Sequence, residues 1–155
     1  SSTYEGDFID GVRTGKGRFT WVSGSYYEGD FVDDEMHGQG LFVWQDGTKY
    51  EGDFANNCRT GKGKFTWPGG RIYEGDFIDG TCNGRGRLTW ASGIYYEGDF
   101  VDDEMHGQGL LVWPDGSKYE GDFNKGHRTG KGIAIGQNST YYEGDFVDGD
   151  HNKAR

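Results

Sequence analysis

Basic charge is in short supply: 16 Lys and Arg stand against 26 Asp and Glu, a formal net charge of −10 and a pI near 4.7. Nucleic-acid binding relies on clustered cations that displace counterions from phosphate, so that partner class is disfavoured. An anionic membrane surface is disfavoured too, though less strongly. No apolar run approaches the ~20 residues of a bilayer span, and the start carries no signal-peptide pattern. A soluble, cytoplasmic chain is expected. Cysteine is limited to Cys58 and Cys82, too few for a disulfide scaffold and in keeping with a reducing compartment. Aliphatic residues are also sparse. Hydrophobics make up 32% and aromatics alone 16%, so a core has to be built mainly from Tyr, Phe and Trp. Low apolar content suggests disorder, but rings that each bury on the order of 150 to 250 Å² reverse that expectation.

What is present is a repeat. The word Tyr-Glu-Gly-Asp-Phe starts at Tyr4, Tyr27, Tyr50, Tyr73, Tyr96, Tyr119 and Tyr142, at intervals of 23 residues without insertion. Such a period marks a stacked array in which each unit supplies its neighbour's missing contacts. One array over residues 1–155 is expected, with full repeats from 4, 27, 50, 73, 96 and 119 and a partial one from 142. The chain begins at Ser1 without Met, as expected of a fragment of a longer protein.

Within a repeat, Tyr4, Gly6 and Phe8 alternate with Glu5 and Asp7, the two-residue period of a strand with one packed and one solvated face. Ile9 to Thr14 follow as a loop with Gly11 at its tip. The equivalent residues are Asp34, Asn57, Gly80, Asp103 and Gly126, types that tolerate a left-handed backbone. A second strand over Gly15 to Trp21 puts Gly15, Gly17, Phe19 and Trp21 on one face and Lys16, Arg18 and Thr20 on the other. Val22-Ser23-Gly24, Gln45-Asp46-Gly47 and Pro114-Asp115-Gly116 are turns into the next repeat. The fold expected is all-β: an elongated, single-layer, twisted antiparallel sheet of stacked β-hairpins. At ~4.8 Å per strand it forms a rod of about 60 to 70 Å. Glycine pairs such as Gly15 with Gly17 and Gly38 with Gly40 weaken a strand unless neighbouring rings cover them. Cys58 and Cys82 fall in adjacent hairpin loops, ~10 Å apart by strand spacing, so unpaired thiols are expected.

Tyr27, Gly29, Phe31, His37, Gly38, Gly40, Gly47 and Tyr50 form a pattern that resembles the MORN repeat, a 23-residue family unit, over nearly the whole chain. The family's usual His is matched by His37 and His106 and replaced by Thr14, Thr60, Asn83 and Thr129. The resemblance implies a stacked-hairpin ribbon that organises proteins at membranes or cytoskeleton, often beside other domains.

Three sets of candidate binding residues follow. The aromatic trough contributes Tyr27, Phe31, Trp44, Tyr50, Trp67, Tyr73, Trp90, Tyr96 and Trp113, rigid anchors with little entropy to lose. A longer 69-residue period makes residues 27–49 and 96–118 nearly identical. These carry acidic and apolar stations, Asp33, Asp34, Glu35, Met36 and Leu41, then Asp102, Asp103, Glu104, Met105 and Leu110, suited to a basic amphipathic helix or a cytoskeletal filament. The remaining repeats gather Arg13, Lys16, Arg18, Arg59, Lys62, Lys64, Arg85 and Arg87, the candidates for phosphoinositide head groups. In the sixth repeat Ile133, Ala134, Ile135 and Gly136 replace the usual ring-bearing pattern and Ser139 replaces the turn Gly, as in a capping unit. The edge strands at Tyr4 and Tyr142 offer unpaired backbone for self-association.

Enzyme-like motifs fail on their chemistry. Gly11 to Gly17 and Gly126 to Gly132 have only three residues before the Gly-Lys pair and end in Gly, so the magnesium-binding hydroxyl of a phosphate loop is missing. Glu5 with Asp7 recurs identically on a solvated face, whereas catalytic carboxylates need distinct environments. His37 and His106 are isolated, which argues against metal. Asn138, Ser139 and Thr140 form a glycosylation sequon that stays unused without secretion. The expectation is a non-catalytic, cofactor-free scaffold that binds a protein segment. A phosphoinositide-targeting module is the second reading, and a positioning domain of a larger enzyme, such as a kinase or methyltransferase, is the third.

Overall fold

A computed structural model describes residues 1–138 and 140–147. Ser139, with the turn and sequon readings placed on it, and the polar tail at 148–155 lie outside the described residues. The chain divides into two compact units, Ser1–Thr81 and a second from Cys82 onward. Among the described residues there is no helix, and thirteen antiparallel strands carry the fold.

In the first unit, β1 (Thr3–Ile9), β2 (Val12–Thr20), β3 (Tyr26–Val32), β4 (Glu35–Val43), β5 (Lys49–Ala55), β6 (Cys58–Thr66) and β7 (Ile72–Ile78) each pair with the next in chain order. In the second, β8 (Thr81–Thr89), β9 (Tyr95–Val101), β10 (Glu104–Val112), β11 (Lys118–Asn124), β12 (His127–Ile135) and β13 (Tyr141–Phe146) do the same. Both are antiparallel meanders of stacked hairpins, as the repeat predicts.

The hairpin loop is shorter than expected. The first strand ends at Ile9 and the next begins at Val12, leaving Asp10 (φ 53°) and Gly11 (φ 80°) as a two-residue turn. Both central residues lie at positive φ, the primed geometry whose twist matches that of the flanking strands. Asn56 with Asn57 and Asp102 with Asp103 adopt the same geometry. Cys58 and Cys82 therefore sit on strands β6 and β8 rather than in loops, and neither forms a disulfide. Trp21 likewise falls just beyond β2, where its N–H bonds to Ser25 O at 2.9 Å to close the connecting turn.

Strict alternation along the second strand also breaks. Gly6 pairs with Gly17 but Phe8 pairs with Arg13, so Thr14, Gly15 and Lys16 bulge opposite Asp7 alone. Arg13 shares the ring face with its partner Phe8, and the alternation keeps the same phase on both sides of the bulge.

A single layer has no second sheet to cover its core, so the rings cover the backbone. Tyr27, Tyr50, Tyr73, Tyr96 and Tyr119 are fully buried. Each of Tyr27, Tyr50, Tyr96 and Tyr119 lies across a glycine of the following strand, and a methyl group at Gly40 would come within 2.5 Å of Tyr27 Cζ. The Tyr27 hydroxyl donates to Asp30 O at 2.7 Å. Ring edges then meet ring faces from hairpin to hairpin, with Tyr27 at 5.1 Å from Phe31 and 5.0 Å from Phe54. The glycine pairs and the aromatic residues are thus one packing device.

This packing has an alkaline signature. Burial, then the adjacent Asp carboxylates, push the Tyr50 and Tyr119 phenols up to about 12, and the same causes raise Tyr27 and Tyr96 further. The fold favours the neutral phenol, so this contribution is complete below pH ~10 and is lost as pH climbs through the folded values. Tyrosinate absorbance from these rings should rise only around pH 12, together with loss of the strand signal in circular dichroism. Their ionisation near pH 10 in a folded chain would contradict the packing.

Candidate functional site

The ring face has two rows with different accessibility. The Tyr and Phe of the repeated word form the inner row, and Tyr27, Phe31, Tyr50, Tyr73 and Tyr96 are at most 3% exposed. Their area is spent inside the protein. The outer row comes from the end of each second strand and is half-buried. In the first unit it runs through Phe19, Trp21, Phe42, Trp44, Phe65 and Trp67, with centroid separations from 4.4 to 5.4 Å. Of the aromatic candidates, Trp44, Trp67, Trp90 and Trp113 belong to this accessible row. A recess of about 310 Å³ beside Trp44 is lined by Met36, Phe54, Arg59 and Cys58, among others.

Arginines complete the row. Arg13 stands 5.0 Å from the Phe19 ring, and Arg59 stands 5.0 Å from Phe65 and 5.4 Å from Trp44. These cations lie against ring faces, where they add to aromatic packing. Lys16 and Arg18 are on the opposite face, so the strand, which begins at Val12 rather than Gly15, separates side chains that the sequence grouped together.

The opposite face is a lattice of carboxylates. One oxygen of Asp30 accepts the Gln39 backbone N–H at 2.9 Å, and the other pairs with Lys16 of the preceding hairpin. Asp99 repeats this with the Gln108 N–H at 3.0 Å and Arg85 at 2.8 Å. Burial alone would raise both carboxyls. The hydrogen bonds from Lys16 and Gln39, and from Gln108 and Arg85, outweigh it and hold both below the ordinary Asp value. The Asp of the repeated word is a brace across the bulge and between hairpins, a role its reading as plain surface charge misses. The spacing is constant: Asp7, Asp30, Asp53, Asp99 and Asp122 each precede by nine residues the Lys or Gln whose N–H they accept.

Six of the eight head-group candidates are already ion-paired: Arg13 with Asp34, Lys16 with Asp30, Arg18 with Glu28, Lys62 with Asp76, Arg85 with Asp99 and Arg87 with Glu97. Arg59 packs on rings, and Lys64 stands in register with Glu51 and Glu74.

The acidic stations are stitched to the preceding hairpin. Asp34 Oδ1 accepts the Arg13 backbone N–H at 2.8 Å and its Nε–H at 3.0 Å, which lowers the Asp34 carboxyl below its usual value. Asp103 accepts the Cys82 N–H at 2.7 Å, Asp102 exchanges hydrogen bonds with Asn83, and the Asp33 N–H donates to Thr14. Glu35 accepts from Asn57 at 3.5 Å, and Glu104 is exposed. Met36 pairs with Phe31 on the ring face whereas Leu41 pairs with Glu28 on the other, and Met105 and Leu110 are divided in the same way. The structure does not bring each station onto one surface. Among the described residues no cluster of His, Cys, Asp or Glu is arranged to hold a metal.

Stacked two-stranded hairpins, glycines beneath tyrosines and a half-buried aromatic outer row define a β-hairpin repeat protein. The MORN repeat profile matches residues 4–26, 27–49, 50–70, 73–95, 96–118 and 119–141, and the chain belongs to the MORN repeat family. No match was found among curated protein sequences. Among solved structures, the chain is similar to the TCP domain of Drosophila melanogaster SAS-4 (dCPAP), in complex with a proline-rich motif of Ana2 (dSTIL). The two share 11% identity at a TM-score of 0.55, over 85% of this chain and 73% of that one. The wild-type TCP10 domain of Danio rerio CPAP, in complex with a STIL peptide, aligns at 10% identity and a TM-score of 0.36, over 91% of this chain and 67% of that one.

Proposed function

We propose that the chain is a non-catalytic interaction module that holds an extended, proline-rich segment of a partner protein along the outer row of the first unit. The observation that carries this reading is the half-buried ladder of Trp21, Phe42, Trp44, Phe65 and Trp67 above an inner row that is buried from Tyr27 to Phe77. Polyproline segments dock on such spaced rings because their backbone is already ordered and their prolines pack flat against indoles. The SAS-4 domain, which shares the fold, is complexed with a proline-rich motif. A cytoplasmic setting, attachment to a larger protein and a scaffolding role at cytoskeleton or membrane belong to the same proposal.

The ion pairing of most cations argues against a phosphoinositide site, because a lipid phosphate would have to displace carboxylates already in place. An oligoproline peptide titrated into the intact chain should quench tryptophan fluorescence. The double substitution Trp44→Ala with Trp67→Ala should weaken binding at least ~10-fold, about 1.4 kcal/mol. Salt-sensitive binding to phosphoinositide vesicles with no response to the peptide would reject the proposal.

A further inference from the structure

The second unit contains a hollow that the repeat pattern accounts for. Phe19, Phe42 and Phe65 occupy the same repeat position as Ala134, and all five tryptophans share a position with Gly136. In the first unit this Phe covers the preceding repeat's indole, with Phe42 5.1 Å from Trp21 and Phe65 5.4 Å from Trp44. In the sixth repeat a methyl group stands where that ring belongs. The result is a cavity of about 560 Å³ lined by Trp113, Asp115, Lys118, Arg128, Ala134 and Tyr141, among others. That volume lies in the range of ligand-accepting pockets.

Its chemistry specifies the occupant. The Arg128 guanidinium is 5.6 Å from the Trp113 ring, matching Arg59 over Trp44 at 5.4 Å, where Phe65 also packs on the arginine at 5.0 Å. A ring entering the recess would therefore meet an indole and a cation together, as Phe65 does. The rim adds Lys118, while the Asp115 carboxylate accepts the Ser117 N–H at 2.8 Å within its own turn. On a chain of net charge −10, this rim has two cations and one acid. Such a balance favours a carboxylate beside the incoming ring.

We infer that the recess between Trp113 and Tyr141 receives a Phe or Trp side chain from a partner protein segment with an acidic residue next to that ring. The aromatic group supplies from outside the contact that Phe42 and Phe65 supply within the chain. The site rests on reading the chain as an interaction module, but not on the tryptophan row of the first unit.

The test is an NMR titration of the intact chain with a blocked Glu-Trp-Glu peptide, against Glu-Ala-Glu. The tryptophan peptide should shift the Trp113 indole and Ala134 methyl signals saturably, and the alanine peptide should leave them in place. Ala134→Phe should reduce binding at least tenfold, and Ala134→Leu should reduce it too. Both variants should fold, because Phe and Leu stand at this position in other repeats. Lys118→Glu should weaken binding several-fold. Unmoved Trp113 and Ala134 signals, or undiminished binding to Ala134→Phe, would overturn the site, as would shifts that follow protein concentration instead of peptide. If oligoproline still binds through Trp44 and Trp67 in that event, the general function stands and only this pocket is rejected.

Discussion

Gly63→Ala should destabilise the first unit by on the order of 3 kcal/mol, the upper end of what overpacking costs. The added methyl would come within 2.5 Å of Tyr50 Cζ, and that ring is fully buried. Tyr50 cannot swing away, because its hydroxyl is bonded to Asp53 O at 2.7 Å and its ring is wedged between Phe54 at 5.1 Å and Phe77 at 5.0 Å. Moving it would disturb two ring contacts, one on either side. For a unit of this size the thermal midpoint should fall by roughly 10 to 20 °C. Gly69→Ala is the matched control: nothing lies within 4 Å of its added methyl, so it should change stability by less than about 0.5 kcal/mol. Equal midpoints for the two variants would mean that ring-on-glycine packing is not what holds the layer together.

Asp30→Ala should cost about 2 kcal/mol, because it strips the acceptor from the Gln39 N–H in the bulge and the counter-ion from Lys16 at once. Asp30→Asn should cost less, since its amide oxygen can still accept the backbone N–H. The effect also carries a pH dependence of defined sign. Hydrogen bonds hold the folded Asp30 and Asp99 carboxyls below their ordinary value despite the opposing effect of burial. Their contribution is therefore complete above the unfolded pKa of about 4 and is lost as pH falls through the lower folded values. Thermal midpoints measured from neutral to acid pH should show wild type and Asp30→Asn converging as acidity increases. A constant gap between them would assign Asp30 a packing role instead.

Much of this was legible in the chain. The alternation of Tyr27, Gly29 and Phe31 against Glu28 and Asp30 specified a strand with one packed face, and the spacing of glycines specified bare backbone that rings could cover. The tip residues Asn57 and Asp103 signalled positive φ because few other side chains accept it. The bulge was not legible, because alternation assumes a regular ladder, and the Asp7 brace that breaks it acts between residues nine apart in sequence. Reading Ile9 to Thr14 and their equivalents as a loop left Arg13 and Met36 without a face, and so placed Arg13 beside Lys16 in one basic group and Met36 beside Leu41 in one apolar station, although each pair is split between two faces. The change to Ala134 and Gly136 was visible in the sequence as an atypical last repeat. Its effect as a recess beside Trp113 depended on knowing which ring covers which indole.

By itself, then, the sequence determined the repeat, the hairpin meander and the pairing of tyrosine with glycine, because these follow from short-range periodicity and steric limits on the backbone. Only the tertiary structure decided which rings are used up in the core, which acids and bases neutralise one another and where the aromatic surface is left open. Those outcomes turn on register between hairpins, where side chains 14 to 21 residues apart meet, as Arg85 meets Asp99 and Arg13 meets Asp34.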